Sequence, residues 1–254
     1  MNLELHQYIA LGLILFLGSA IQSVAGFALA FVGIPLALWV GLTLPQAITM
    51  INLAALIQAL IGARSLKTDI PWSLAKKALI IRILAAPLGT YLLTLLSTLS
   101  LDFLKQFLGF VLVLIMTIQN RLKIKPTENV PAAWGTFAFL MSGLMAGSLG
   151  MGGPALVLWV VAHTWSSSKS RGFLFVNYAG FLPFQFVYLV SAFGQPIVDT
   201  IYIGLLFSPL IFLGTILGLW VSKFISKDRL SKIIYFLLYA IALVSIIAPF
   251  MSGK

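Results

Sequence analysis

The run Gly147-Ser148-Leu149-Gly150-Met151-Gly152-Gly153-Pro154 holds the residue types best suited to gripping an anion. Glycine lets an oxyanion approach the backbone with no Cβ in the way. The N–H groups that open a helix carry about half a positive charge. Gly152 and Gly153, at the start of the short helix, are therefore expected to turn backbone N–H groups toward a ligand, with Gly150 and Met151 also candidate contacts and Ser148 adding a hydroxyl. Sulfite, a sulfonate or a carboxylate suits such a site. The same small residues would also permit close helix packing without any ligand. A weaker copy lies one half-chain earlier, where Gln22, Ser23, Gly26 and Phe27 are the candidate contacts.

Further polar groups stand in apolar surroundings. Asn52 and Asn177 lie about one-third of the way into apolar stretches, at corresponding places in the two halves. An amide in hydrocarbon is costly unless partnered. Both are expected to face the interior, either donating to an anion or joining helices. Arg82 lies about eight residues into its stretch and has no basic counterpart in the other half. It could supply a full charge to an anion; the expectation is that it snorkels to the cytoplasmic interface. Lys169 and Arg171 follow the second glycine run and are candidates for drawing anions in from the cytoplasm. His163, at a segment end, is expected to be interfacial and without a chemical role.

These residues must be positioned by membrane helices. Of 254 residues, 61% are hydrophobic and 9% charged, more apolar surface than a soluble domain can hide. With no cysteine, thiolate metal sites, disulfides and Cys nucleophiles are excluded. The net charge of +10 sits in short loops between apolar spans, which speaks for cytoplasmic loops and against nucleic acid. The N-terminus lacks the basic start of a signal peptide, so the first stretch is expected to remain as a span.

Ten apolar segments are expected, at 8–25, 27–41, 44–63, 74–96, 101–119, 132–149, 152–163, 172–193, 200–221 and 230–250. The second and seventh are too short to cross ~30 Å of hydrocarbon, and each follows a glycine break. Each break reads as the tip of a helical hairpin that can stop near the midplane. That gives about eight spans plus two re-entrant segments, or ten spans. Basic loops alternate with loops that are nearly free of Lys and Arg, placing both termini outside.

The halves are similar. Gly26 aligns with Gly150, Asn52 with Asn177, and Leu88-Gly89 with Leu217-Gly218. Each half has five segments, an odd number, so the second is inserted upside down. The expected organisation is a first repeat at 1–119, a cytoplasmic linker at 120–131 and an inverted repeat at 132–254. Paired breaks in an inverted repeat point to a transporter's binding site.

The 150–154 run with the apolar segment after it, the Lys169-Ser170-Arg171-Gly172 loop and the weaker 26–35 copy resemble the sulfite exporter TauE/SafE family over essentially the whole chain. The first copy departs from the pattern, with Ala28 and Leu29 where glycines are usual. The resemblance implies a bacterial inner-membrane protein exporting sulfite or small organosulfonates.

The expected partners are such an anion and the lipid bilayer. H⁺ carried on the substrate, or Na⁺ on unwound carbonyls, is the candidate coupling ion, and a homodimer stays open. Neither a cofactor nor a metal site is expected. The spans hold no mid-membrane Asp or Glu, which argues against divalent cations. The alternatives are an anion channel and a permease for a carboxylate or other small solute. An intramembrane enzyme built on Ser148 and His163 is more remote, since no aspartate backs the histidine.

Overall fold

The computed structural model describes residues 3–25, 28–65, 70–121, 124–221, 224 and 227–252. They form eleven α-helices: α1 (Leu5–Ala25), α2 (Leu29–Trp39), α3 (Leu44–Ser65), α4 (Trp72–Leu96), α5 (Leu101–Arg121), α6 (Ala132–Leu149), α7 (Gly153–Val161), α8 (Ser167–Phe193), α9 (Gln195–Leu206), α10 (Ser208–Val221) and α11 (Lys227–Ser252). Among the described residues there is no β-strand; a single bridge ties Thr127 to His163. Six helices are long and apolar enough to cross a membrane, or seven if α9 and α10 form one bent span. In hydrocarbon a helix satisfies its own backbone, so an all-helical polytopic protein follows from this composition.

The segment expected at 200–221 is two helices. The chain bends by 55° between α9 and α10. Pro209 cannot donate an N–H to the preceding turn, so the ladder is interrupted where α10 begins. The expected 172–193 segment also starts earlier. Ser166 caps α8, its side chain accepting the Lys169 N–H, and this adds a polar turn before the apolar part.

Two helices fall far short of a full crossing. α2 has 11 residues and α7 has 9, or about 16 and 14 Å at 1.5 Å per residue. α2 is apolar all round and largely buried, as a helix enclosed by its neighbours must be. It packs on α1 and α3, while α7 packs on α6 and α8.

The main contacts interlock across the middle of the chain. α1 lies on α10, α4 on α6, α3 on α8 and α5 on α11. The glycines of the two Leu-Gly pairs stand at two of these crossings. A Cβ on Gly89 of α4 would overlap the Leu144 carbonyl of α6. One on Gly218 of α10 would overlap the Ala20 carbonyl of α1. Glycine lets the two backbones touch, the main source of attraction between helices when lipid offers no hydrophobic drive.

Candidate functional site

The α6–α7 break is built by Gly150. It ends α6 in the left-handed region, with φ 68°, a conformation open to glycine and costly for residues with a Cβ. The turn folds the Gly150 N–H onto the Ala146 carbonyl and the Met151 N–H onto the Met145 carbonyl. These two N–H groups are therefore used within the turn. The N–H groups of Gly152 and Gly153, at the start of α7, have no backbone acceptor among the described residues. They are the open donors of this tip. Ser142 of α6 braces the turn from behind, its Oγ donating to the Gly152 carbonyl at 2.6 Å.

This tip borders a cavity of about 40 Å³. One water needs about 10–15 Å³ on this measure, so the space suits a few waters or one small oxyanion. Gly150, Met151, Gly152, Gly153 and Pro154 form one wall. Gln22 of α1, Asn52 of α3, Arg82 of α4 and Tyr178 of α8 supply the polar side chains, and Phe181 of α8 joins them on the wall. The rest is small or apolar, including Ala30, Ala55 and Ala146.

Arg82 does not snorkel. It is the eleventh residue of α4, about 15 Å from the helix start, and is 1% exposed. Nη1 donates to the Asn177 carbonyl at 3.0 Å, and the guanidinium lies over the Phe181 ring at 4.2 Å. Nε has no hydrogen-bond partner. No carboxylate forms an ion pair with Arg82 among the described residues. α4 turns this face toward α8 rather than lipid, so the interface lies behind a packed helix. Counting from the apparent helix end in the sequence could not show which face was buried.

The cavity wall carries other unused donors. Asn52 is 5% exposed and its Nδ2 has no partner. Gln22 Oε1 accepts the Leu29 N–H at 3.1 Å, so this side chain spans the first break and caps the start of α2. Its Nε2 donates to none of the described residues. The two shielded, unpartnered side-chain atoms on this wall, Asn52 Nδ2 and Arg82 Nε, are thus both donors. A buried group of this kind costs about 1–3 kcal/mol if nothing fills its bond.

Other expected contacts lie elsewhere. Ser148 Oγ donates to the Leu144 carbonyl within its own helix and is absent from the wall. Ser23 Oγ likewise returns to the Ala20 carbonyl, where α1 meets α10. Asn177 is fully buried; its Nδ2 donates to the Phe173 carbonyl, and its backbone carbonyl, not its side chain, reaches the site through Arg82. In each case a short polar side chain donates to the preceding turn, though Asn177 Oδ1 is left without a partner. Gly26 and Phe27 lie outside the described residues. Lys169 stacks over Trp165 at 5.1 Å and Arg171 is exposed, both away from the cavity. His163 Nδ1 meets the Trp159 carbonyl, between the rings of Trp159 and Trp165.

These placements give a test of the serine. Ser148→Ala removes one local bond to a carbonyl that α6 already uses. Transport by this variant is expected to stay within about twofold of the native protein. An enzyme using Ser148 as nucleophile would lose its activity outright. Flux in proteoliposomes beside a hydrolase assay distinguishes the two.

The sequence profile of one family, Sulfite exporter TauE/SafE, matches residues 11–248. No curated protein and no solved structure matches the chain.

Proposed function

The chain belongs to the sulfite exporter TauE/SafE family of membrane transporters, and from that premise we propose that its cavity carries a small oxyanion, sulfite or a small organosulfonate, out of the cell. One observation carries this reading. Arg82 is a buried cation with an unused donor, on a cavity whose other shielded free side-chain donor belongs to Asn52. Burying an uncompensated charge costs several kcal/mol, and the cation–π contact with Phe181 returns about 2 kcal/mol or somewhat less. A bound anion supplies the missing charge, and fills the empty bonds once these shielded side chains turn toward it. The open N–H groups of Gly152 and Gly153 point the same way.

In this proposal the two halves, 1–119 and 132–254, are inverted repeats and 120–131 is the linker. Contacts such as α1 on α10 and α4 on α6 support it, because inversion exchanges one pair for the other. Both termini lie outside the inner membrane, and Lys169 and Arg171 raise the anion concentration near the cytoplasmic mouth. The halves rock about the site to open it alternately to each side. The proton on the substrate, or Na⁺, supplies the coupling.

The test is flux. Purified protein in liposomes should move sulfite or methanesulfonate, with taurine and simple carboxylates slower. If no sulfur oxyanion moves while a carboxylate does, the substrate assignment fails and the architecture stands. A unitary conductance in planar bilayers would replace the carrier with a channel.

A further inference from the structure

We propose that the cavity selects its anion by valence, taking a monoanion and excluding a dianion; this rests on the oxyanion reading above. Arg82 is the one charged side chain on the wall among the described residues. Tyr178 of α8 is the one other titratable group there, and α1, α2, α3, α6 and α7 face the cavity with no ionisable side chain. A monoanion beside Arg82 makes a pair of zero net charge, which low-dielectric surroundings tolerate best. A dianion leaves one negative charge facing the Asn52 amide and two backbone N–H groups, which are dipoles and not countercharges. Its desolvation penalty is also larger, because that penalty grows with the square of the charge.

For an oxyanion whose second ionisation falls near neutrality, as sulfite's does, this rule fixes where the proton travels. The bisulfite form enters with its proton, keeps it in the cavity and leaves with it. No bond is made or broken, and no side chain has to accept or release the proton. The acids whose side chains the structure describes fit this arrangement. Glu4, Asp102, Glu128 and Asp199 stand at or near helix ends or in the linker, away from the cavity. The same wall separates valence from size, since Ala30, Ala55 and Ala146 limit volume without contributing charge.

The experiment measures flux of three radiolabelled anions into proteoliposomes at subsaturating total concentration, from about pH 6 to about pH 9. Methanesulfonate stays a monoanion and sulfate a dianion throughout, while sulfite passes from one to the other. Sulfite flux should fall by up to about tenfold per pH unit above its second ionisation. Sulfate flux should lie at least about tenfold below that of sulfite at the acid end. Methanesulfonate flux should stay level, which also shows that Tyr178 and the loops do not set the profile. Sulfate moving as fast as acid-side sulfite, or sulfite flux rising with pH, overturns the valence rule and leaves oxyanion transport standing. Absence of flux for all three, with no thermal stabilisation by any of them, removes the transport reading and this inference together.

Discussion

Arg82→Met is expected to abolish anion flux while leaving the protein folded and at least as thermostable as the native chain. The two effects have opposite electrostatic origins. In the empty protein Arg82 is a buried charge with no acid paired to it among the described residues, held by one carbonyl and the Phe181 ring. Replacing buried charge by an apolar side chain of similar volume is often neutral or stabilising, by about 1–4 kcal/mol. In the loaded protein the same guanidinium is half of a charge pair. Removing one partner of such a pair costs about 2–5 kcal/mol, at least about 30-fold in affinity. A purely structural arginine would show the reverse, with stability lost and residual flux in whatever folds.

The readouts are proteoliposome flux and melting in detergent with and without sulfite. Native protein should gain about 2.7 kcal/mol at an anion concentration 100-fold above its Kd, and Arg82→Met should gain less than about 1 kcal/mol at that concentration. Arg82→Lys keeps the charge but loses the planar fork, and should fall between the two. A methionine variant that still carries sulfite at the native rate would remove Arg82 from the site.

Gly89→Val and Gly218→Val are expected to have the next largest effects. At Gly89 the added carbons meet the Leu144 carbonyl, the Gly147 Cα at 2.9 Å and the Ser148 nitrogen at 3.0 Å. At Gly218 they meet the Ala20 carbonyl and the Ser23 hydroxyl. Most of these obstacles are backbone, which cannot rotate aside as a side chain does. Forced overpacking costs about 1–3 kcal/mol, and more where helices must separate along their length. Both variants should melt lower. Gly89→Val should also lose transport, because α6 presents its tip from that crossing. The adjacent leucines are the controls. Leu88 is 59% exposed and Leu217 38%, both toward lipid. Leu88→Val and Leu217→Val should leave flux and melting close to native. Equal effects at glycine and leucine would mean that these crossings do not depend on backbone contact.

Much of this architecture was legible in the sequence. Long apolar stretches of limited charge read as helices because hydrocarbon allows little else, and the short 152–163 segment after its glycine break became α7. Gly89 and Gly218 were matched in the sequence only as repeat partners; the packed helices put them at two crossings, where a Cβ would meet backbone. The bend between α9 and α10 was missed although Pro209 signalled it, since hydropathy is indifferent to a missing N–H.

The site was legible in part. Gly152, Gly153, Asn52 and Gln22 were found by asking which polar or bare backbone groups a membrane would tolerate only with a partner. Ser148, Ser23 and Asn177 passed the same question and yet turned to their own helices. A single turn of rotation separates a side chain that faces a cavity from one that bonds the preceding carbonyl, and composition does not encode that choice.

The sequence by itself determined the membrane class, the glycine breaks and the absence of any mid-membrane acid, because each follows from residue type and local spacing. The tertiary structure alone decided which face of α4 was buried. That placed Arg82 on one cavity wall with Asn52 and the α7 tip, with no carboxylate paired to it among the described residues. The proposed anion site rests on that convergence of α1, α3, α4 and α7. Electrostatic energy depends on distances between groups far apart in the chain, and only the packed helices set those distances.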